Sequence, residues 1–400
     1  MFELLLRPDV QRYIRVHASV DEKNWLLKHT EVEGIPARVI AQQLAGLRKA
    51  KEKLPAWAAS ENIIYPPATN LEQTSSEATA RFKEKLISEI AVRHRTGIDL
   101  TCGWGVDSFF LSHAFESWTC LEREPELLAM AQHNHHQLGR HHIVYQNSSA
   151  EDWLTHQTLE YDWMYVDPSR RREGNEKVVS LSACEPDMVS LQVRLLQIAP
   201  NVLIKTSPLL DITQALRELI FVRQVYVVAV GSECKELLFH LQRDFSGEPV
   251  IEACHLSDRE PEAFSRFSFF VSEEKRTPAV TGEANRFLYE PNAAMMKAGA
   301  FKLIGQRYGL QKLHPNSHLY TSAEQMTSFP GRTFEILESV KPDKTLVSKL
   351  PEGQANILLR NYPLTVEEFK KKTGIKEGGE LYLIGARTIE NPSLWLCRKV

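Results

Sequence analysis

The chain has no Cys-x-x-Cys pair. Its six cysteines, Cys102, Cys120, Cys184, Cys234, Cys254 and Cys397, lie far apart in 400 residues, so neither a zinc site nor a disulfide framework is indicated. No apolar stretch approaches the length of a membrane span. The opening Met-Phe-Glu-Leu-Leu-Leu-Arg-Pro has too short an apolar run for a signal peptide. The expectation is a protein of the reducing cytoplasm with no membrane partner. Internal repeats and low-complexity tracts are absent. So is a strong net charge: 48 Lys and Arg stand against 51 Asp and Glu, a net charge of −3, so bulk composition does not announce a nucleic-acid binder. His133, His135, His136, His141 and His142 crowd one helix end, where histidines are ordinarily surface residues, and no metal is expected. There is no Ser-His-Asp set with a nucleophile elbow. Cys184 lacks the motif that would make it a nucleophile and is expected to be a free, packed cysteine.

What is present is the composition of an ordinary globular protein, 43% hydrophobic and 25% charged. The length suggests two to four domains. Charge is unevenly spread. From position 291 to the end there are 16 Lys and Arg against 10 Asp and Glu, whereas the first 290 residues hold 32 against 41. A basic C-terminal segment is compatible with contact to a polyanion, and equally with a solvated face of mixed charge.

Residues 1–75 read as helical: Val39, Ile40, Leu44, Leu47, Leu54 and Trp57 recur near helical spacing, and Pro66-Pro67 ends the region. Thr74 with Glu77 three residues on is a capping-box pattern, which predicts a helix from there to about Val92. From Gly97 to about Arg243, short apolar runs alternate with helical patterns. The runs are 97–102, 118–122, 142–145, 163–166, 202–205, 225–230 and 237–241. Such alternation predicts an α/β fold, a doubly wound, mostly parallel seven-stranded sheet. The short link between the last two runs predicts an antiparallel hairpin at the sheet edge. From about 250 onward the pattern becomes that of small α+β units. The expected division is 1–75, 76–248, 249–325 and 326–400.

The chemistry concentrates at the carboxyl ends of the predicted strands. Asp99-Leu-Thr101-Cys-Gly103-Trp-Gly105-Val-Asp107 follows the first strand and opens a helix. Two glycines there let the backbone pass close beneath a nucleotide-like ligand. Glu122 ends the second strand, 19 residues after Gly103, where a carboxylate can accept both hydroxyls of a ribose. Asn147-Ser-Ser149-Ala150 ends the third, and Ser149 and Ala150 are candidates to meet a base, Ser149 being equally a plain helix cap. The fourth ends Asp167-Pro168-Ser169-Arg170-Arg-Arg. Proline pushes the preceding Asp167 to an extended conformation, and the three arginines could bind phosphates. Lys205, at the end of the fifth strand, could line the same crevice, as could Glu233 and Lys235.

These residues resemble the first motif and acidic ribose ligand of class I S-adenosyl-L-methionine-dependent methyltransferases. Asp167-Pro168 stands where the amine-directed nucleic-acid enzymes carry Asp/Asn-Pro-Pro-aromatic. Gln73-Thr-Ser75-Ser-Glu is similar to the segment that closes over the cofactor's methionine end. The resemblance covers roughly residues 70 to 245. The full-length pattern, including Leu288-Tyr-Glu-Pro291, Lys312-Leu-His-Pro315 and Asn361-Tyr-Pro-Leu364, resembles a bacterial methyltransferase group with ferredoxin-like and THUMP-like C-terminal domains. It implies S-adenosyl-L-methionine as cofactor, held by Gln73, Ser75, Asp99, Thr101, Gly103, Gly105, Glu122, Ser149, Ala150 and Asp167. It also implies an RNA substrate, with Asp167, Pro168, Ser169 and Arg170 facing the acceptor. The sequence departs from the pattern at Ser169 and Arg170, which replace the second proline and the aromatic ring, and at Ser149, where Asp is usual. Two alternatives are carried: a non-catalytic RNA-binding protein with a degenerate core, and a nucleotide-dependent oxidoreductase, against which the missing third glycine of Gly-x-Gly-x-x-Gly argues.

Overall fold

The computed structural model describes residues 2–91, 93, 95–170, 180–257 and 263–400, Arg170 by its backbone only. Arg171 and Arg172 of the arginine run lie outside the described residues. The chain forms two compact units. The first comprises Met1–Val225, Lys235–Gly247 and Leu256–Ala263, and the second Tyr226–Cys234, Glu248–His255 and Phe264–Val400.

The first unit is built on parallel strands β1 (Thr96–Asp99), β2 (Ser117–Glu122), β3 (Ile143–Asn147), β4 (Trp163–Val166) and β5 (Asn201–Thr206). They lie in the order β5-β4-β1-β2-β3. The chain reverses through β6 (Val222–Val230), a two-residue turn and β7 (Glu233–Gln242). β7 runs antiparallel to β5, with Leu237 opposite Thr206 and Gln242 opposite Asn201. This is the predicted doubly wound α/β arrangement, in a sheet of nine strands and not the seven expected. All four residues of β4 are buried, the unbroken apolar run of a strand covered on both faces.

The helices of this unit that bear on the site are α1 (Ala37–Lys53), α2 (Glu77–Ile90), α3 (Val106–Leu111), α4 (Pro125–Gln137), α5 (Ala150–His156), α6 (Met188–Ile198) and α7 (Ile212–Glu218). The expected capping box at Thr74 does not form. The Ser76 hydroxyl caps α2 by accepting from the Thr79 amide, and Glu77 instead accepts from the Ala56 amide of the preceding helical region. A long-range partner thus takes the carboxylate that the local pattern assigned to a cap.

Ile64 is one of the residues that fasten the N-terminal helical region to the sheet domain. The Ile64 amide donates to Asn134 Oδ1 at 2.9 Å, and its carbonyl accepts from Asn134 Nδ2 and Trp104 Nε1, each at 3.0 Å. Around these bonds Trp57, Trp104, Phe109 and Phe110 share one apolar core with Ile40, Leu44 and Leu47 of α1.

In the second unit, Tyr226–Val230 of β6 is bordered by β8 (Val250–Leu256) and β9 (Phe264–Phe270). The expectation that the hairpin forms a sheet edge is therefore corrected: these added strands cover it. A separate sheet contains β10 (Phe287–Pro291), β11 (Gln311–His314), β12 (Ser317–Ser322), β13 (Gly331–Ser339), β14 (Asn356–Arg360), β15 (Leu381–Arg387) and β16 (Pro392–Lys399), in the order β11-β12-β10-β13-β16-β15-β14. Helix α8 (Ala293–Ala298) ends at left-handed Gly299, and α9 (Phe301–Tyr308) begins two residues later. Gly299 thus splits residues 292–308 into two helices. Helix α10 (Val366–Thr373) carries a genuine capping box between Thr365 and Glu368. Buried Glu290 on β10 bridges Arg332 of β13 and Arg360 of β14.

Replacing Asn134 by Leu strands the Ile64 amide in the core and leaves its carbonyl with the Trp104 bond alone. Leaving such groups unpaired costs on the order of 1–3 kcal/mol. Urea unfolding of Asn134→Leu is expected to show a loss of that size at an unchanged m-value; no loss would contradict the fastening role.

Candidate active site

The site begins with a buried carboxylate. Asp99 ends β1 at 1% exposure. Its Oδ1 accepts from the Thr101 amide at 2.9 Å and the Thr101 hydroxyl at 3.3 Å, and its Oδ2 accepts from Ser108 Oγ at 2.7 Å. These bonds clamp the loop between β1 and α3. Burial pushes the Asp99 carboxyl up to about 7, against the pull of Ser108 and the Thr101 amide. Asp99 therefore shapes the loop from below, an indirect form of the cofactor role expected of it.

The two glycines of the loop differ in purpose. At Gly103 (φ 58°) a Cβ would meet nothing nearer than the Thr101 carbonyl oxygen at 3.9 Å, so that face of the loop is open to a ligand. At Gly105 (φ 90°) a Cβ would lie 2.5 Å from His135 Nε2. The Gly105 carbonyl can only accept, so the 2.8 Å contact makes His135 Nε2 the donor. His135 Nδ1 then accepts from the Tyr145 hydroxyl at 2.8 Å. His135 is fully buried, which corrects the expectation that the whole histidine cluster lies on the surface. Among the described residues no group of three or more His, Cys, Asp or Glu is arranged to hold a metal.

Glu122 stands beside the open face. Its Oε2 accepts from the Gly103 amide at 2.8 Å and its Oε1 from the Glu124 amide at 3.0 Å. Two backbone donors fix the carboxylate, and a carboxylate has about four lone-pair sites, so capacity for two hydroxyls remains. The open glycine face and this part-filled carboxylate fit a ribose-bearing cofactor such as S-adenosylmethionine. Ser149 is placed differently. Its hydroxyl accepts from the Asp152 amide at 3.1 Å and donates to Asp152 Oδ2 at 2.8 Å, capping α5. The cap occupies the group expected to meet the base. Ala150 is buried at the start of the same helix, and Gln73 is exposed at the end of the short helix Ala68–Gln73.

Asp167 follows β4. Its amide donates to Thr101 Oγ1 at 2.7 Å, and its Oδ2 lies 2.5 Å from Lys205 Nζ. Ser169 and Arg170 pair as a two-residue strand with Glu185 and Cys184. Glu185 in turn holds Arg123, the neighbour of Glu122, at 2.6 Å. Pro168 is half-buried and Ser169 exposed.

Beneath these residues lies an ion network that the motifs only partly announce. Lys83 of α2, with no exposed side-chain surface, sits 3.2 Å from Asp107 Oδ1 and 2.6 Å from Glu236 Oε1 of β7. Asp107 Oδ2 accepts from the Tyr165 hydroxyl at 2.7 Å and from Ser75 Oγ at 2.8 Å. Burial works against the Asp107 charge, but Lys83 and Lys205 outweigh it and hold its carboxyl well below the ordinary range. Ser75 also accepts from Lys83 and Lys205, at 3.2 and 3.3 Å. Its hydroxyl is therefore wholly engaged inside the network. Lys83, Tyr165 and Glu236 escape sequence reasoning because nothing local distinguishes them; Lys83 and Glu236 are 153 positions apart.

His135 gives the loop a pH dependence. Burial holds its imidazole down at about 4, against 6.5 in the unfolded chain. Between those values the unfolded chain takes up a proton that the native state declines. The contribution is thus intact above pH 6.5 and is lost as pH falls toward 4. In His135→Gln the acid-side fall in the urea midpoint is expected to be shallower than in the wild type. Parallel curves for the two proteins would contradict the buried neutral imidazole.

Comparison with known proteins fits this arrangement. Residues 287–330 match a ferredoxin-like domain and residues 331–399 a THUMP domain-like family. Over 387 residues the chain is 22% identical to a protein of Mycobacterium tuberculosis named as an uncharacterized S-adenosylmethionine-dependent methyltransferase, covering 94% of this chain and 98% of that one. It is 31% identical to a protein of Porphyromonas gingivalis W83 whose crystal structure is provisionally described as a methyltransferase. That match covers 100% of this chain and 98% of the other, with a TM-score of 0.86. The chain belongs to the S-adenosylmethionine-dependent methyltransferase family in which the catalytic sheet is joined to ferredoxin-like and THUMP-like domains.

Proposed function

We propose that this chain methylates an exocyclic amine of a base in RNA, with S-adenosylmethionine as donor. The observation that carries the reading is the 2.7 Å bond from the Asp167 amide to Thr101 Oγ1. It ties the carboxylate after β4 to the loop that offers its open glycine face to the cofactor. One strand end thereby faces the donor and its neighbour the acceptor, both in the crevice at the carboxyl ends of parallel strands.

The bound cofactor supplies an electrophilic methyl group on a sulfonium. The chain's own residues supply position. Glu122 would accept the ribose hydroxyls, Gly103 would leave room for the cofactor, and Asp99 would hold the loop. Asp167 Oδ1 would accept an N–H of the amine, turn its lone pair toward the methyl and stabilise the positive charge that develops on nitrogen. With Ser169 and Arg170 in place of proline and an aromatic ring, base stacking would fall to the guanidinium plane of Arg170. The RNA assignment is supported by the THUMP domain-like match over 331–399 and by the surplus of six basic residues from position 291 onward.

Tritiated S-adenosylmethionine, the full chain and total RNA from a bacterial lysate provide the test. Label is expected in RNA as an N-methylated base. Asp167→Ala is expected to lower transfer by about 10²–10³-fold, the usual loss when one transition-state contact is removed. Cofactor bound normally with no label in any RNA would favour the non-catalytic RNA-binding alternative.

A further inference from the structure

Lys205, the penultimate residue of β5, has its side chain only 10% exposed, while the Asp167 side chain is 32% exposed. The Lys205 ammonium has three N–H bonds and faces three acceptors: Asp167 Oδ2 at 2.5 Å, Ser75 Oγ at 3.3 Å and Asp107 Oδ2 at 3.4 Å. An ammonium spent in this way has a fixed direction. Beyond Asp107 the charges continue to alternate through Lys83 to Glu236. Three carboxylates and two ammonium groups leave one net negative charge in a buried site, facing a cofactor whose sulfonium is positive.

We propose that Lys205 is the positioning residue for Asp167: it turns Oδ2 inward and leaves Oδ1 to orient the acceptor amine, so that Asp167 guides the amine without taking its proton. The proposal rests on the reading of Asp167 as the acceptor-side carboxylate. In the step it describes, the amine lone pair forms the N–C bond as the C–S bond breaks, and the bonding electrons remain on sulfur. The methylated nitrogen, now cationic, then releases one N–H proton to water. Protonating Asp167 instead would leave the Lys205 ammonium buried against a neutral acid, an outcome that burial in a low-dielectric site disfavours. Burial by itself pushes the Asp167 carboxyl upward, and Lys205 is the group that opposes it most. For Lys205 burial works against the charge, but Asp167 and Asp107 outweigh it and hold the ammonium above its ordinary range. The other ionisable groups around the pair are Asp99 on β1, Asp107 on α3, Lys83 on α2, Tyr165 on β4, Glu236 on β7 and Lys53 on α1.

The test reads Asp167 directly. The full chain is labelled with 13C at the aspartate carboxyl carbons, the Asp167 signal is assigned by its disappearance in Asp167→Asn, and it is titrated in wild type, Lys205→Met and Lys205→Arg. The methionine variant is expected to raise the Asp167 midpoint by about one pH unit or more, a tenfold change in its protonation equilibrium. The arginine variant keeps the charge and is expected to leave the midpoint near that of wild type. The pH–rate profile of methyl transfer should move with the NMR midpoint, its acid limb displaced upward in Lys205→Met; a purely structural lysine would lower the rate at every pH alike. If Lys205→Met does not fold by circular dichroism, Lys205→Gln replaces it. An Asp167 midpoint unchanged in the folded neutral variant overturns the proposal. A shifted midpoint together with undiminished transfer by Asp167→Ala would leave the Lys205 contact standing and overturn the reading of Asp167 on which the proposal rests.

Discussion

The buried carboxylate of Asp99 is the constraint on which the site depends. It ends β1 buried from solvent, and so must find donors in the chain. It finds the Thr101 amide and hydroxyl on one oxygen and Ser108 on the other. Those bonds set the path of the Gly-x-Gly loop. The Thr101 hydroxyl, held from one side by Asp99, accepts the Asp167 amide from the other. Ser108, held likewise, accepts from Trp118 Nε1 at 3.1 Å. The loop, the placing of Asp167 and the packing of β2 thus descend from one side chain.

A second layer supports the loop from the opposite side. The Gly105 carbonyl rests on His135, and Asn134, its neighbour on α4, holds Ile64. Two consecutive residues of one helix therefore fasten the cofactor loop and the N-terminal helical region to the same element. Gly105 has no alternative there: its left-handed backbone and the imidazole 2.5 Å from any Cβ both demand glycine.

Much of this is legible in the sequence, and the limit of legibility is physical. Strand positions show because parallel strands covered on both faces must be apolar throughout, as Trp163–Val166 are. Glu122 and Asp167 show because a strand end and a fixed spacing define where they stand. Local rules failed where a distant partner competed. Glu77 has the spacing of a capping box, yet the Ala56 amide takes its carboxylate. His135 belongs to a run of histidines at a helix end, yet the turn 30 positions earlier draws it inward. Ser149 shows the reverse: the ordinary N-cap reading describes it better than the role suggested by the methyltransferase pattern. In the ion network Asp107 belongs to the loop motif and Lys205 to a strand end, but Lys83 and Glu236 carry no local signal, since the members meet only after four separate elements have packed.

The central claim is that the open face of Gly103 and the half-filled carboxylate of Glu122 hold S-adenosylmethionine. Calorimetric titration of S-adenosylmethionine into wild type and Glu122→Ala, side by side, tests it most directly. The account predicts binding by the wild type and a loss of about one to two orders of magnitude in the variant, the cost of removing charged hydrogen bonds to the ribose. Equal affinity in the two folded proteins, or no binding by the wild type, would contradict it.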